Sequence, residues 1–241
     1  MPLVEFRDVS YEVGGRQILS DVNFTVESGE TLVLLGRSGS GKTTALKMTN
    51  GMLFPTHGEV RVEGQSTREW DPIRLKRRIG YVIQEVGLFP HFTVERNVGL
   101  VPTLEGWPPQ DIAQRVVGLL GEMGLPPEEY RTRYPRQLSG GQRQRVGVAR
   151  ALAADPPLLL FDEPFGALDP VTRVELQRRF LDLRQNLQKT SIFVTHDVRE
   201  ALRLGTRIAL LARGRLELSA DPQEFRNAKT EEALAFLGSL D

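Results

Sequence analysis

Residues Gly36, Arg37, Ser38, Gly39, Ser40, Gly41, Lys42 and Thr43 spell G-x-x-x-x-G-K-T, the phosphate-cradling loop. The motif demands a strand before it and a helix after it. Residues 31–35, Thr-Leu-Val-Leu-Leu, read as a buried strand, and residues 44–48, from Thr44 onward, read as the opening of a helix. Three glycines let the backbone bend until successive N–H groups point inward at a polyphosphate, and the following helix adds its positive N-terminal end. Lys42 then reaches the terminal phosphates and the Thr43 hydroxyl holds Mg2+. The plainer alternative is a glycine-rich strand-to-helix turn with no ligand. The full match in this context predicts nucleotide binding on a P-loop NTPase core.

A chain of 241 residues with 40% hydrophobic content can bury a sizeable core. Its 31 Lys+Arg balance 31 Asp+Glu, which argues against a whole-surface attraction to nucleic acid or anionic lipid. The absence of cysteine excludes disulfides and thiolate metal sites and leaves the redox compartment open. Residues 1–8 carry charges and alternate like a strand, unlike a signal peptide, and no apolar run reaches the roughly 18 residues of a membrane helix. A soluble, cytoplasmic chain is expected.

Residues 3–9 and 18–26 alternate apolar and polar on either side of Gly14 and Gly15, with Tyr11 just before that turn, and predict an antiparallel pair. Residues 58–64 and 78–84 read as further strands. Between 85 and 155, Pro and Gly punctuate segments of helical spacing such as 111–123 and 141–153, which reads as a helical insertion. Residues 158–161 return to a buried strand, 171–187 form a long helix, and 191–195 form another strand. Residues 207–211 and 214–219 close the sheet, and 230–240 read as a terminal helix. The expected fold is α/β with a parallel central sheet, an N-terminal antiparallel β-subdomain and an inserted α-helical subdomain. One domain over 1–241 is expected, with core 1–84 and 156–241 and insertion 85–155.

The strand at 158–161 ends in Asp162 and Glu163. An acid at a strand end beside a phosphate loop can bind Mg2+, directly or through water, and the second acid is placed to orient or deprotonate an attacking water. Alone, two acids after a strand would also suit a helix-capping turn. Leu138, Ser139, Gly140, Gly141 and Gln142 open the helix at 141–153. A hydroxyl, two glycines and a helix N-terminus form a second anion site, yet local chemistry favours Ser139 as an ordinary N-cap.

The phosphate loop, Gln84, the Leu-Ser-Gly-Gly-Gln run at 138–142, Asp162 with Glu163, Ala167-Leu168-Asp169 and His196, in this order and spacing, resemble the nucleotide-binding subunit of an ATP-binding cassette (ABC) transporter. The resemblance covers nearly the whole chain, and the pentapeptide is close to diagnostic. It implies that Tyr11 stacks on adenine. It implies that Gln84 contacts Mg2+ and the attacking water, and that His196 hydrogen-bonds the γ-phosphate beside the catalytic Glu163. It places Mg2+ among Thr43, Gln84 and Asp162. Ala167, Leu168 and Asp169 then belong to a loop that crosses a dimer interface. Gly166 stands where many relatives carry Ser, and Arg37 is a milder departure in the phosphate loop.

The family pattern also implies that residues 138–142 of one copy close over the ATP held by a second copy, giving a homodimer with two active sites that ATP closes and hydrolysis opens. Residues 81–102 contain Gly-Leu-Phe-Pro-His at 87–91, Asn97 and Leu-Val-Pro at 100–102, and resemble osmoprotectant uptake cassettes handling glycine betaine, choline, carnitine or proline. Transmembrane permease subunits are expected to dock near residues 84–92, with a solute-binding protein acting indirectly and the cassette held peripherally on the inner face of the membrane. Many such cassettes carry C-terminal sensor domains; none follows Asp241, so regulation through another subunit is expected. The alternatives are a polar amino acid importer and a soluble ABC ATPase acting in DNA repair or translation. Zero net charge and the short insertion speak against the latter and against nucleic acid as a partner.

Overall fold

The computed structural model describes residues 2–84, 87–166, 168–187 and 189–240, with the backbone alone at 183–187. The chain divides into two compact units, Met1–Lys76 with Gln188–Asp241, and Arg77–Leu187.

The first unit begins with β1 (Val4–Val13) and β2 (Arg16–Val26), joined through Gly14 and Gly15. Both glycines have positive φ, 58° and 74°, the backbone that a two-residue hairpin with native twist requires. Asp8 and Asp21 also take positive φ, 52° and 51°, Asp8 where the pairing register shifts between Phe6 and Val9 and Asp21 opposite the shift between Val9 and Tyr11. These bulges twist the ribbon and seat the Asp8 N–H on Asn23 Oδ1 at 2.8 Å. After β3 (Thr31–Leu35) and α1 (Lys42–Thr49) come β4 (His57–Val62) and β5 (Gln65–Ser66), which complete an antiparallel sheet in the order β2-β1-β4-β5. Helix α2 (Pro72–Arg78) leads out of the unit.

Among the described residues the second unit holds β6 (Ile79–Val82), five α-helices and a 3₁₀ turn at Pro135–Gln137, then β7 (Leu158–Asp162) and α8 (Pro170–Leu187). The helices are α3 (Val94–Val98), α4 (Leu100–Leu104), α5 (Pro109–Glu122), α6 (Pro127–Tyr130) and α7 (Gly140–Leu152). Strands β6 and β7 pair in parallel, Ile79 with Leu158 through Val82 with Phe161. Helix α7 lies so close on β6 that a Cβ on Gly80 would sit 2.3 Å from the Ala151 carbonyl oxygen. Val116, Leu119 and Leu120 of α5 and Val146 and Ala149 of α7 are buried, each large side chain contributing about 1.5–3 kcal/mol. Arg115 donates to the carbonyls of Leu152 and Ala153 at 2.8 and 3.2 Å, satisfying the C-terminal end of α7.

The chain then returns to the first unit through β8 (Thr190–Thr195), α9 (Val198–Leu204), β9 (Arg207–Ala212), β10 (Arg215–Ala220), α10 (Pro222–Arg226) and α11 (Glu231–Leu237). Every residue of β3 and of β8 is buried, which is why both read as unbroken apolar or hydroxyl-bearing runs. Strand β3 lies in parallel between β8 and β9, with Leu35 opposite Thr195 and Leu210, and β10 closes antiparallel on β9. The expected antiparallel subdomain, parallel ladders and inserted helices are all present. The strand expected at 78–84 is shorter: the last pairing is Val82 with Phe161, so Gln84 lies beyond the ladder. No helix among the described residues is long and apolar enough to cross a membrane.

Candidate functional site

In the first unit the phosphate loop leaves the C-terminal end of β3 at a point where no side chain fits. A Cβ on Gly36 would lie 2.3 Å from the Leu211 carbonyl oxygen and 2.6 Å from Ser40 Oγ. Arg37, Ser38 and Gly39 are exposed, and Ser40, Gly41 and Lys42 are buried. Gly41 caps α1 at φ 102°, a conformation closed to L side chains, and a Cβ there would strike Leu19 Cδ2 at 2.4 Å. Leu19 is the cross-strand partner of Tyr11, so the half-buried tyrosine sits on the ribbon that backs the loop.

The loop's polar groups are arranged for an incoming anion. No side chain caps the first turn of α1, leaving its N–H groups directed out of the helix end. Ser40 Oγ is buried without a hydrogen-bond partner among the described residues. Lys42 Nζ donates to the carbonyls of Gly36 and Arg37 at 2.7 and 2.9 Å, which holds a buried ammonium over the loop. Thr43 and Thr44 are half-buried on the first turn of α1.

His196 follows β8, and because Leu35 pairs with Thr195 it emerges beside Gly36 at the same edge of the sheet. Its turn is fixed from below. Thr195 Oγ1 donates to the buried Glu200 carboxylate at 2.6 Å and accepts from the Asp197 N–H at 3.0 Å. The exposed His196 side chain thus rides on a rigid turn.

In the second unit Asp162 ends β7 at 9% exposure and accepts from the Tyr81 hydroxyl at 3.4 Å. Burial, then the negative charge of Asp162, pushes the Tyr81 phenol well above its ordinary range and keeps it a neutral donor. Glu163 takes φ 45°, a left-handed backbone uncommon outside glycine. A Cβ placed on Gly166 would touch both Gln84 Nε2 and Glu163 Oε2 at 3.9 Å, so the fold gathers Gln84 and Glu163 around this glycine. The space admits a methyl group, and nothing in the structure requires Gly166 over the expected serine. Leu168 is buried, and Asp169 Oδ1 accepts from the Thr172 N–H at 3.0 Å at the start of α8. Ala167 lies outside the described residues.

The pentapeptide opens α7. Leu138 is buried, its carbonyl accepting from Arg143 Nη1 at 2.8 Å. Ser139 Oγ accepts from the Gln142 N–H at 3.2 Å and Gln142 Oε1 accepts from the Ser139 N–H at 2.9 Å, a reciprocal capping box. Gln142 Nε2 also donates to the Tyr130 hydroxyl at 3.0 Å. Gly140 is exposed at the helix end, while a Cβ on Gly141 would meet Thr172 Cγ2 at 2.4 Å. The local N-cap reading of Ser139 therefore holds in the isolated chain.

Residues 87–101 form an aromatic corner with a cleft of about 330 Å³ lined by Arg77, Tyr81, Phe89, Leu100, Val101 and Arg150. His91 meets Phe89 and Phe92 edge to face, Phe89 and Phe92 are tilted against one another at 5.2 Å, and Arg96 lies 3.8 Å over the Phe92 ring. Sequence reasoning did not single out Tyr81 or Arg150, which donates to the Gly87 carbonyl at 2.9 Å. The cue for Tyr81 was its place on the strand leading to Gln84.

Comparison with known proteins bears on the family and the fold. The family model described as ABC transporter matches residues 19–166. The chain is 47% identical over 226 residues to the choline transport ATP-binding protein OpuBA of Bacillus subtilis, covering 93% of this chain and 59% of that protein. It is 47% identical over 222 residues to the osmoprotectant import ATP-binding protein OsmV of Salmonella typhimurium, covering 92% and 57%. The chain thus spans somewhat under three-fifths of the length of these relatives. Among solved structures, a dimeric ATP-binding cassette in a post-hydrolysis state, bound to ADP and Pi, superposes with a TM-score of 0.81 at 34% identity, over 91% of this chain and 98% of that one. On motif order, fold and similarity, the chain belongs to the ABC transporter family.

Proposed function

We propose that this chain is the ATP-binding and ATP-hydrolysing subunit of an importer for osmoprotectants such as glycine betaine, choline, carnitine or proline. The observation that carries the proposal is the phosphate loop itself. A buried ammonium, an unpartnered buried hydroxyl and an uncapped helix N-terminus surround one loop that excludes side chains at Gly36 and Gly41. The solute class is supported by the similarity to proteins named for choline transport and osmoprotectant import.

In this reading the adenine stacks on Tyr11, the phosphates lie along residues 36–43, and Lys42 exchanges its loop carbonyls for phosphate oxygens. Thr43, Gln84 and Asp162 offer hard oxygen donors of the kind Mg2+ takes alongside phosphates. Among the described residues no group of three His, Asp or Glu side chains gathers as a metal cage, which suits a cation brought by the nucleotide. Bound there, Mg2+ supplies neutralisation of the β- and γ-phosphate charge. Tyr81 orients Asp162, Glu163 accepts the proton of the attacking water, and His196 contacts the γ-phosphate. Residues 1–84 with 156–241 serve as the nucleotide-binding core and 85–155 as the signature subdomain.

Residues 138–142 act on the ATP of a second copy, with Leu168 and Asp169 at the interface, so ATP closes a homodimer. The aromatic corner receives a cytoplasmic segment of the permease, which holds the cassette on the inner face of the membrane and serves a solute-binding protein outside. Glu163→Gln should lower hydrolysis by about 10²–10⁴-fold and accumulate an ATP-dependent dimer in size-exclusion chromatography. A variant that stays monomeric with ATP at every protein concentration would count against the clamp. Uptake of labelled choline and glycine betaine by vesicles carrying the cassette with its permease tests the solute.

A further inference from the structure

The phosphate loop and the His196 turn are tied to one another by the same C-terminal segment. Arg37 Nε donates to Glu232 Oε1 on α11 at 2.6 Å. Seven and eight residues on, just past the end of α11, the carbonyls of Ser239 and Leu240 accept from Arg199 Nη2 at 3.3 and 3.0 Å. Arg199 lies in the first turn of α9, three residues after His196, where Asp197 caps the helix. The segment between is itself anchored, since Thr230 caps α11 and Ala233 is fully buried.

Arg37 is held from both ends. Its carbonyl accepts from Lys42 Nζ and its guanidinium is paired with Glu232, so the exposed arc of the loop has a fixed start. The contact borders a cleft of about 610 Å³ whose walls include Arg16, Arg37, Ser38, Arg213, Glu231 and Glu232. Arg37 and Glu232 side chains are 67% and 20% exposed, so the pair is a modest energetic contact whose value lies in geometry.

We infer that α11 is a brace that spans the phosphate loop and the histidine turn, and that Glu232 is a positioning residue which sets nucleotide affinity through Arg37 without touching the nucleotide. The inference rests on the nucleotide reading proposed above. Two effects compete when Glu232 is removed. The loop loses a fixed point, which weakens binding, and Arg37 becomes an uncompensated charge, which attracts polyphosphate. Because the loop already carries Lys42 and the N-terminus of α1, loss of order dominates.

Calorimetric titration of the intact chain with MgADP distinguishes the two. Glu232→Gln and Arg37→Ala should each weaken binding by about two- to five-fold, and the double variant should be no weaker than either alone. The charge exchange Arg37→Glu with Glu232→Arg should restore most of the loss, a recovery that mere destabilisation would not give. For Glu232→Gln, KM for ATP should rise while kcat at saturating ATP stays within about 1.5-fold. Tighter binding by Glu232→Gln, unchanged binding in both single variants, or additive losses in the double variant would each overturn the brace alone. A wild-type chain that takes up no MgADP would bring down the nucleotide reading and the brace together.

Discussion

Helices α1 and α7 both begin at glycines, Gly39 and Gly41 just before α1 and Gly140 and Gly141 opening α7, and the two ends are finished in opposite ways. Helix α1 is capped by Gly41, with no side chain on its N–H groups and an unpartnered hydroxyl at Ser40 behind them. Helix α7 is capped by its own box, Ser139 and Gln142 satisfying one another, with Gln142 also engaged by Tyr130. The first offers an uncapped helix end and the Ser40 hydroxyl in a buried cradle, and on the proposed reading it binds an anion within one chain. The second is self-satisfied and exposed. To contact a nucleotide it must exchange an internal cap for an external one, so its ligand has to arrive already held by something else. On the proposed reading, one terminus is a site and the other a lid for the site of a second copy.

That contrast can be broken most directly at Lys42. Lys42→Ala removes the buried ammonium from the loop carbonyls and should lower nucleotide affinity by about 100-fold in a monomer titration. If affinity is retained, the loop is not the seat of the phosphates. Ser139→Ala should behave differently. It removes a cap worth about 1 kcal/mol to α7, leaves monomer affinity unchanged, and lowers hydrolysis by about tenfold where hydrolysis depends on protein concentration. Equal loss of monomer affinity in both variants would erase the distinction between the two helix ends.

The smallest effect concerns Asp169, whose carboxylate accepts from the Thr172 N–H in the first turn of α8. The Thr172 N–H, then its hydroxyl, hold the Asp169 carboxyl below the usual carboxylate range. A depressed folded value gives stability that is present above the unfolded value of about 3.9 and is lost as pH falls through the folded one. Wild type should therefore lose a little stability in acid urea titrations that Asp169→Asn does not lose, and parallel curves would remove the cap from the account.

The loop at 36–43 and the acids at 162 and 163 were legible because each lies at the end of a strand whose five residues are all buried, a pattern local in sequence. The hairpin turn at Gly14 and Gly15 was legible for the same reason. Helices α3 and α4 were not, because each is five residues long and the break at Gly99 disrupts periodicity. The left-handed backbone of Glu163 leaves no sequence trace, since nothing about a glutamate announces positive φ. Arg37 stood as an unexplained departure until the fold brought it to a carboxylate 195 positions away. Contacts of that span depend on the whole topology, and local pattern carries no information about them.

Asn97 was visible only as one letter in a run shared with certain importers, yet it is wholly buried and makes four hydrogen bonds to the corner it supports. Its Oδ1 accepts from the Phe89 N–H at 2.8 Å, and its Nδ2 donates to the carbonyls of Phe89, Phe92 and Thr93 at 3.0–3.2 Å. One amide thus replaces the stiffness that a strand or helix would otherwise provide. A molecule that docks on Phe89 and Phe92 meets a socket already cast, so little conformational entropy is lost at the moment of contact and force applied there travels as displacement instead of being absorbed as rearrangement.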